Sequence, residues 1–568
     1  MKNNMEIPAD GLKGLKQNWK SDLISGLIVS LLALPLSLGI AKASEFPPIM
    51  GVLTAIIGGM VVSIIAGSPL TIKGPAAGLI TIVGGCVAAF GGGMGGWHMT
   101  LGVIVVAAVF QILFGVLKLG KYSDYFPHTV IHGMLGAIGF IILSKQLHIL
   151  MGISPVHTDG PHKGAGLSKP LDLYAALPDS IMHVISNPGN QKILLVGVIC
   201  LIIVFGWPMI KNKFIKKIPA PLVVLAVAIP LGIALGLQDI KGGLIKVGNI
   251  FEVTNINVSF DGINFKAGTF IYYVAMFALI GSIESLLTVK AIDIADPYKR
   301  KSNANKDLIA QGVGNALSGI LGGLPMISEV ARSSANVNNG AKTRWSNFFH
   351  GAALLVFVVA ALPVIEMIPN SALAALLIGV GYRLASLKEF MHILKIGWEQ
   401  LIILVSTTIA ILLTDLLVGV GIGIAVKFII HYIGGLPFRN TFKPDMAIIE
   451  EDNRIVIHIR KAAVVTNYPT IAKRLLTVPR GKKVLIDVSE AYVIDHTSME
   501  SLAIFRKEYI EEGGECDFYG LDKHRALSKY EYSTKILSSE ARKEIKLRNA
   551  AVTNQTRADQ TNHEHRIN

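Results

Sequence analysis

Most of this chain is written in apolar blocks of about 20 residues, the length a helix needs to cross the ~30 Å hydrocarbon core of a bilayer. Twelve such blocks lie near 22–41, 49–66, 98–118, 128–149, 191–209, 219–237, 268–290, 305–322, 346–367, 370–385, 397–413 and 415–436. Two shorter ones, near 76–90 and 330–339, reach only part of the way. The pattern predicts a polytopic α-helical membrane protein of 14 transmembrane segments filling residues 21–437, preceded by a basic cytoplasmic leader at 1–20. Beyond residue 440 the apolar blocks stop. Residues 445–541 alternate in a way that predicts a small cytoplasmic α/β domain, with strands at 454–459, 483–488 and 516–519. Asp495 is placed to cap a helix whose Leu502, Phe505 and Tyr509 share a face, and Gly513-Gly514 ends it. Residues 550–568 carry almost no apolar content and read as a disordered tail.

Charge fixes the orientation. Of 568 residues only 16% are charged, against about 25% in soluble chains, which excludes a wholly soluble enzyme. The net charge of +14 comes largely from Lys and Arg in short loops between apolar blocks, so it reflects topology rather than a nucleic-acid surface. With the N-terminus inside, the inner loops hold Lys118 and Lys121, Lys211 to Lys217, Lys290 to Lys306, Lys342 and Arg344, and Arg383 to Lys395. The short outer loops hold only Lys42. Both termini are then cytoplasmic, in a cytoplasmic (inner) membrane. Three scattered cysteines suggest neither a disulfide framework nor a metal cluster. His128 and His132 stand four apart at a helix start without the glutamate of a zinc-protease pattern, and no triad order or nucleotide fingerprint points to an enzyme or a bound cofactor.

The two short segments repeat each other. Gly58, Ile64, Gly67 and Pro69 recur as Gly314, Ile320, Gly323 and Pro325 at a constant offset of 256 positions. Seven spans separate equivalent helices, so the halves (about 21–237 and 268–437) enter from opposite sides as an inverted repeat. After each proline comes an extended stretch, Leu70 to Ala76 and Met326 to Arg332, which opens a short helix. Proline removes a backbone donor, and extended backbone at membrane depth belongs where it lines a cavity. Two converging helix N-termini make an anion site. Arg332 in the first turn of the second short helix, Lys73 just before the first, and the backbone N–H groups of Ala76, Ala77 and Ala331 are its candidate ligands. Lys73 could instead pair with Glu329 or Glu284. Glu284 lies mid-span with Thr288 four residues on, sharing its face, and a carboxylate at that depth is costly. The pair can bind Na⁺ or a proton, or Glu284 can pair with a cation.

Several stretches resemble one known family: DLISGLIVSLLALPLSLGIA, IKGPAAG, ESLLTVKAIDI, NKDLIAQGVGNALSGILGGLPMISEVARSSANVNNGAKT, and the LIDV and IDHTS motifs near the C-terminus. Over residues 20–540 the chain resembles the sulfate permease (SulP) anion transporters with a C-terminal STAS domain. The resemblance implies a seven-plus-seven inverted repeat and a core that moves against a gate in elevator fashion. It implies a homodimer in membrane lipid, and sulfate, bicarbonate, chloride or dicarboxylate as substrate between the short helices. At the Glu284 position it implies Na⁺ coupling for bicarbonate carriers and proton coupling for others. Two residues depart from the family: Lys73 stands where many relatives have a small polar residue, and Ala76 often has a hydroxyl counterpart. The loop Asp495-His496-Thr497-Ser498-Met499 departs from the usual Asp, hydroxyl pair and Gly of a phosphorylated STAS loop. The expected function is secondary active symport of sulfate or bicarbonate. The rival readings are a passive anion channel or exchanger, and a membrane anion sensor signalling through STAS.

Overall fold

The computed structural model describes residues 7–120, 127–154, 170–212, 218–247, 257–451 and 454–548. Among the described residues, nine helices are long and apolar enough to cross a membrane, from Gly11–Ala43 to Leu416–Ile433. Ala77–Ala89, Ala220–Ala234 and Trp398–Leu413 are apolar but shorter. With Ala304–Ile320 and Val330–Asn338 these helices fall on the segments read from the sequence. The expected leader overlaps the first helix. The first helix begins at Gly11, where the Asp10 carboxylate accepts the Gly11 N–H, so Lys13, Lys16 and Lys20 lie on its first turns. The loop lysines Lys121, Lys213, Lys216 and Lys217, and the tail at 550–568, lie outside the described residues.

The chain divides into two compact units, residues 1–123 with 135–385, and residues 124–134 with 386–568. In the first, Gly11–Ala43 packs on Trp345–Ile365 and Pro48–Ile57, and Gly93–Val116 packs on Ala304–Ile320. Small residues set these distances, as expected where lipid supplies no hydrophobic drive between helices. Gly59, inside a π-helical turn at Gly58–Val62, meets Gly351 so closely that a Cβ on Gly59 would stand 2.6 Å from the Gly351 Cα.

In the second unit, β3 (Asp445–Glu451), β4 (Arg454–Ala463), β5 (Lys483–Asp487), β6 (Ala491–Ile494), β7 (Glu515–Tyr519), β8 (His524–Ala526) and β9 (Lys535–Leu537) form one sheet. Its order is β7-β5-β4-β6-β9-β8, with β3 antiparallel on β4 and β4, β5 and β7 parallel. Ile455, Ile457, Val484 and Ile486 pack beneath the helix His496–Glu511 through Leu502 and Tyr509. The three expected strands are present. The remaining strands β3, β6, β8 and β9 carry too many charges, or are too short, to show a strand pattern by alternation.

Candidate functional site

The prolines at 69 and 325 each release the chain from a helix into three extended residues, β1 (Lys73–Pro75) and β2 (Met326–Ser328). These pair antiparallel, with Lys73 opposite Ser328, Gly74 opposite Ile327 and Pro75 opposite Met326. Each strand runs directly into a short helix. The first passes through a turn at Ala77–Leu79 into Ile80–Ala89, and the second is Val330–Asn338. Antiparallel pairing sends the two helices off opposite ends of the strand pair, so their N-termini flank it about 10 Å apart. Ala76 and Ala77 are buried at the first N-terminus, which has no side-chain cap. The second is capped by Glu329, whose carboxylate accepts the Arg332 N–H at 2.8 Å. Ala331 lies on the exposed side of that turn.

Arg332 reaches from the second helix to the strand of the first. It is fully buried, and Nη2 donates to the Pro75 carbonyl at 3.4 Å. Its Nε stands 3.8 Å from Glu329 Oε2. Gly74 makes the room, since a Cβ there would come within 2.6 Å of Arg332 Nη1. Nε and Nη1 have no hydrogen-bond partner. A buried guanidinium with idle donors is costly unless an anion completes it.

Glu284, in the helix Gly262–Ala295, lies against the first turn of the first short helix: a Cβ on Gly78 would meet the carboxylate, with Cδ and Oε2 each at 2.6 Å. Glu284 Oε2 is buried without a hydrogen-bond partner. Thr288 is buried one turn further along. The sequence-derived residues thus gather at the strand pair, with Arg332 at Gly74 and Pro75 and Glu284 at Gly78.

Lys73 is placed differently. Its ammonium is occupied by Asp307, with Nζ donating to Oδ2 at 2.6 Å. It also donates to Thr71 Oγ1 at 3.2 Å and to Ser328 Oγ. Neither Glu329 nor Glu284 is the partner. Asp307 sits in the first turn of Ala304–Ile320, where an acid ordinarily does no more than complement the helix dipole, and that ordinary reading conceals it in the sequence. Sequence reasoning also misses His350, fully buried in Trp345–Ile365 with both ring nitrogens unpartnered. Asn336 bonds Ser346 at 2.9 Å; one turn back from Asn336 is Arg332 and one turn on from Ser346 is His350. A histidine amid apolar residues gives no sequence signal that separates it from a core residue.

In the second unit, Asp495 caps the helix His496–Glu511 as expected. Its oxygens accept the Ser498 and Val465 N–H groups at 2.9 Å each. Lys427 Nζ lies at 3.3 Å and His431 Nε2 at 3.7 Å. Burial alone would raise this carboxyl's pKa, but Lys427, His431 and the two backbone donors outweigh burial and hold it at about 2.

Two broken helices abutting a strand pair inside a bundle of long apolar helices form an architecture that suits a membrane transporter. The chain belongs to the sulfate permease family, whose model matches residues 19–407. It is 26% identical over 420 residues to the putative sulfate transporter YvdB of Bacillus subtilis, covering 73% of each chain. It is 29% identical over 418 residues to the bicarbonate transporter BicA of a Picosynechococcus species, covering 72% of this chain and 69% of that one. Among solved structures it is similar to the transmembrane domain of a cyanobacterial BicA, with a TM-score of 0.60 at 25% identity over 72% of this chain and 98% of that one. It shares its fold with SLC26A9, with a TM-score of 0.60 at 16% identity over 89% and 85% of the two chains. The family and these relatives are transporters, not enzymes, and the chain is a multi-pass membrane protein of the sulfate and bicarbonate type.

Proposed function

We propose that this protein is a secondary active transporter of an inorganic oxyanion, sulfate or bicarbonate, driven by Na⁺ or protons. The observation that carries the reading is Arg332, fully buried with Nε and Nη1 idle beside the start of the opposite short helix. In this reading the anion completes the guanidinium and takes the backbone N–H groups of Ala76, Ala77 and Ala331. Glu284 with Thr288 holds the coupling cation, whose charge offsets the buried carboxylate and favours the anion nearby. Loading is then cooperative, with a coupling of about 1–3 kcal/mol as is ordinary for linked sites. Fourteen segments in two inverted halves would move the site as an elevator in a homodimer, with both termini cytoplasmic and the α/β region as a STAS domain.

Uptake of radiolabelled sulfate or bicarbonate into proteoliposomes, with and without an inward Na⁺ or proton gradient, tests this. Concentrative uptake that Arg332→Ala abolishes and that Glu284→Gln uncouples is the expected result. Flux that never exceeds equilibrium would make the protein a channel or exchanger, and binding without flux would make it a sensor. Wild-type kinetics in a folded Arg332→Ala variant would remove the anion site from this position.

A further inference from the structure

The surroundings of Lys73 are those of a cation site already filled. Its side chain is fully buried, and its ammonium is held by Asp307 Oδ2 at 2.6 Å, Thr71 Oγ1 at 3.2 Å and Ser328 Oγ. Ser328 Oγ in turn accepts from Ser285 Oγ at 3.0 Å. One carboxylate and a set of hydroxyls, all oxygen and carrying a single negative charge, is the donor set that suits a small hard monovalent cation. These oxygens come from three separate segments, the stretch before the first short helix, the Ala304–Ile320 helix and β2, and Ser285 brings the Gly262–Ala295 helix against the last of them. An ion bound there would tie together the same elements that surround the anion. The next residue before Ser285 is Glu284, whose Oε2 has no hydrogen-bond partner.

We propose that Lys73 Nζ is a tethered internal cation standing where a sodium ion would otherwise bind, so that Asp307 is neutralised permanently and this cluster takes up no Na⁺. This goes beyond the reading of Glu284 as the coupling residue and does not depend on which cation Glu284 takes. With Asp307 satisfied by the chain itself, a coupling cation has to be held by Glu284 rather than by this cluster.

The test compares the full-length protein in Na⁺ buffer with the same protein in N-methylglucamine buffer, by sulfate and bicarbonate uptake into proteoliposomes and by thermal unfolding in detergent. Wild-type uptake and melting temperature in the two buffers set the reference response to Na⁺. Lys73→Ala leaves Asp307 and the hydroxyls around a vacant space. Its uptake should fall at least tenfold in N-methylglucamine and recover severalfold in Na⁺, Li⁺ or methylammonium, and its melting temperature should rise with Na⁺. Lys73→Met fills the space without charge and should gain nothing from any of these ions. Lys73→Ala with Asp307→Ala should lose the Na⁺ response. A Lys73→Ala protein whose uptake and melting temperature respond to small cations no more than wild type does overturns the proposal. If Lys73→Ala does not fold in N-methylglucamine but is recovered when expressed and purified in Na⁺, that too supports it, while failure in both buffers overturns the vacancy argument. Absence of anion uptake in wild type under every gradient would instead sink the transporter reading, and the melting comparison would still decide the role of Lys73.

Discussion

Gly78→Ala places one methyl group where the Glu284 carboxylate now rests. The added Cβ would overlap Oε1 and stand 2.6 Å from both Cδ and Oε2, whereas ordinary contact is 3.4–4 Å, so the carboxylate must retreat by more than about 1 Å. The neighbour is the end of a flexible side chain, so the helix survives and the cost falls on position. Misplacing a working group by about 1 Å commonly costs around a hundredfold. The half-saturating concentration of the coupling cation should therefore rise at least tenfold. The assay is initial anion uptake in proteoliposomes as a function of external Na⁺ and of pH. Gly84→Ala in the same short helix is the control, since its nearest neighbour to a new Cβ is 3.6 Å away, and it should leave the curve unchanged. Adding Glu284→Asp to Gly78→Ala shortens the side chain by one C–C bond, about 1.5 Å, and should restore part of the response. A Gly78→Ala protein with wild-type cation dependence would refute the placement of the coupling site at Glu284.

Three further outcomes are expected. His350→Phe removes two buried unpartnered nitrogens, so it should raise thermal stability by about 1 kcal/mol while lowering anion uptake; stability gained with uptake intact would make His350 a core residue only. Asp495→Asn strips the counter-charge from buried Lys427 and should cost about 3–5 kcal/mol, read as a lower melting temperature of the purified protein that adding Lys427→Met largely restores. Because folding lowers the Asp495 carboxyl from its ordinary 3.8 to about 2, its stabilisation, roughly 2–3 kcal/mol, is fully present above pH 4 and disappears as pH falls from about 4 to about 2; acid unfolding curves of wild type and Asp495→Asn should converge over that window.

The helices were legible because a bilayer imposes length and apolarity on every span, and the two broken segments because proline leaves no choice of backbone. Arg332 and Glu284 stood out for a related reason: a charge inside an apolar block has no cheap explanation. The partners of those charges were not legible. Asp307 follows Asn303, a helix cap, and looks like a routine first-turn acid, yet it closes on a lysine 234 positions earlier. Only the fold, in which β1 pairs with β2 and the Ala304–Ile320 helix packs against β2, brings them together. His350 left no trace because one polar ring in an apolar helix satisfies the same pattern whether or not its nitrogens are bonded. The first helix begins before the expected leader ends because three lysines spaced along polar turns do not oppose helix formation, and Asp10 supplies the start.

The register that sets Lys73 against Ser328 also dictates when the site can come into being. These residues are made far apart in time on the ribosome, with several spans inserted between them. Until Asp307 and β2 have entered the membrane, Lys73 has no carboxylate to receive it, and the first short helix has no partner strand. A nascent chain that stops before the second broken segment therefore holds a lysine at membrane depth without its carboxylate, a costly arrangement. The joining of β1 to β2 is thus a step that only the nearly complete membrane domain permits.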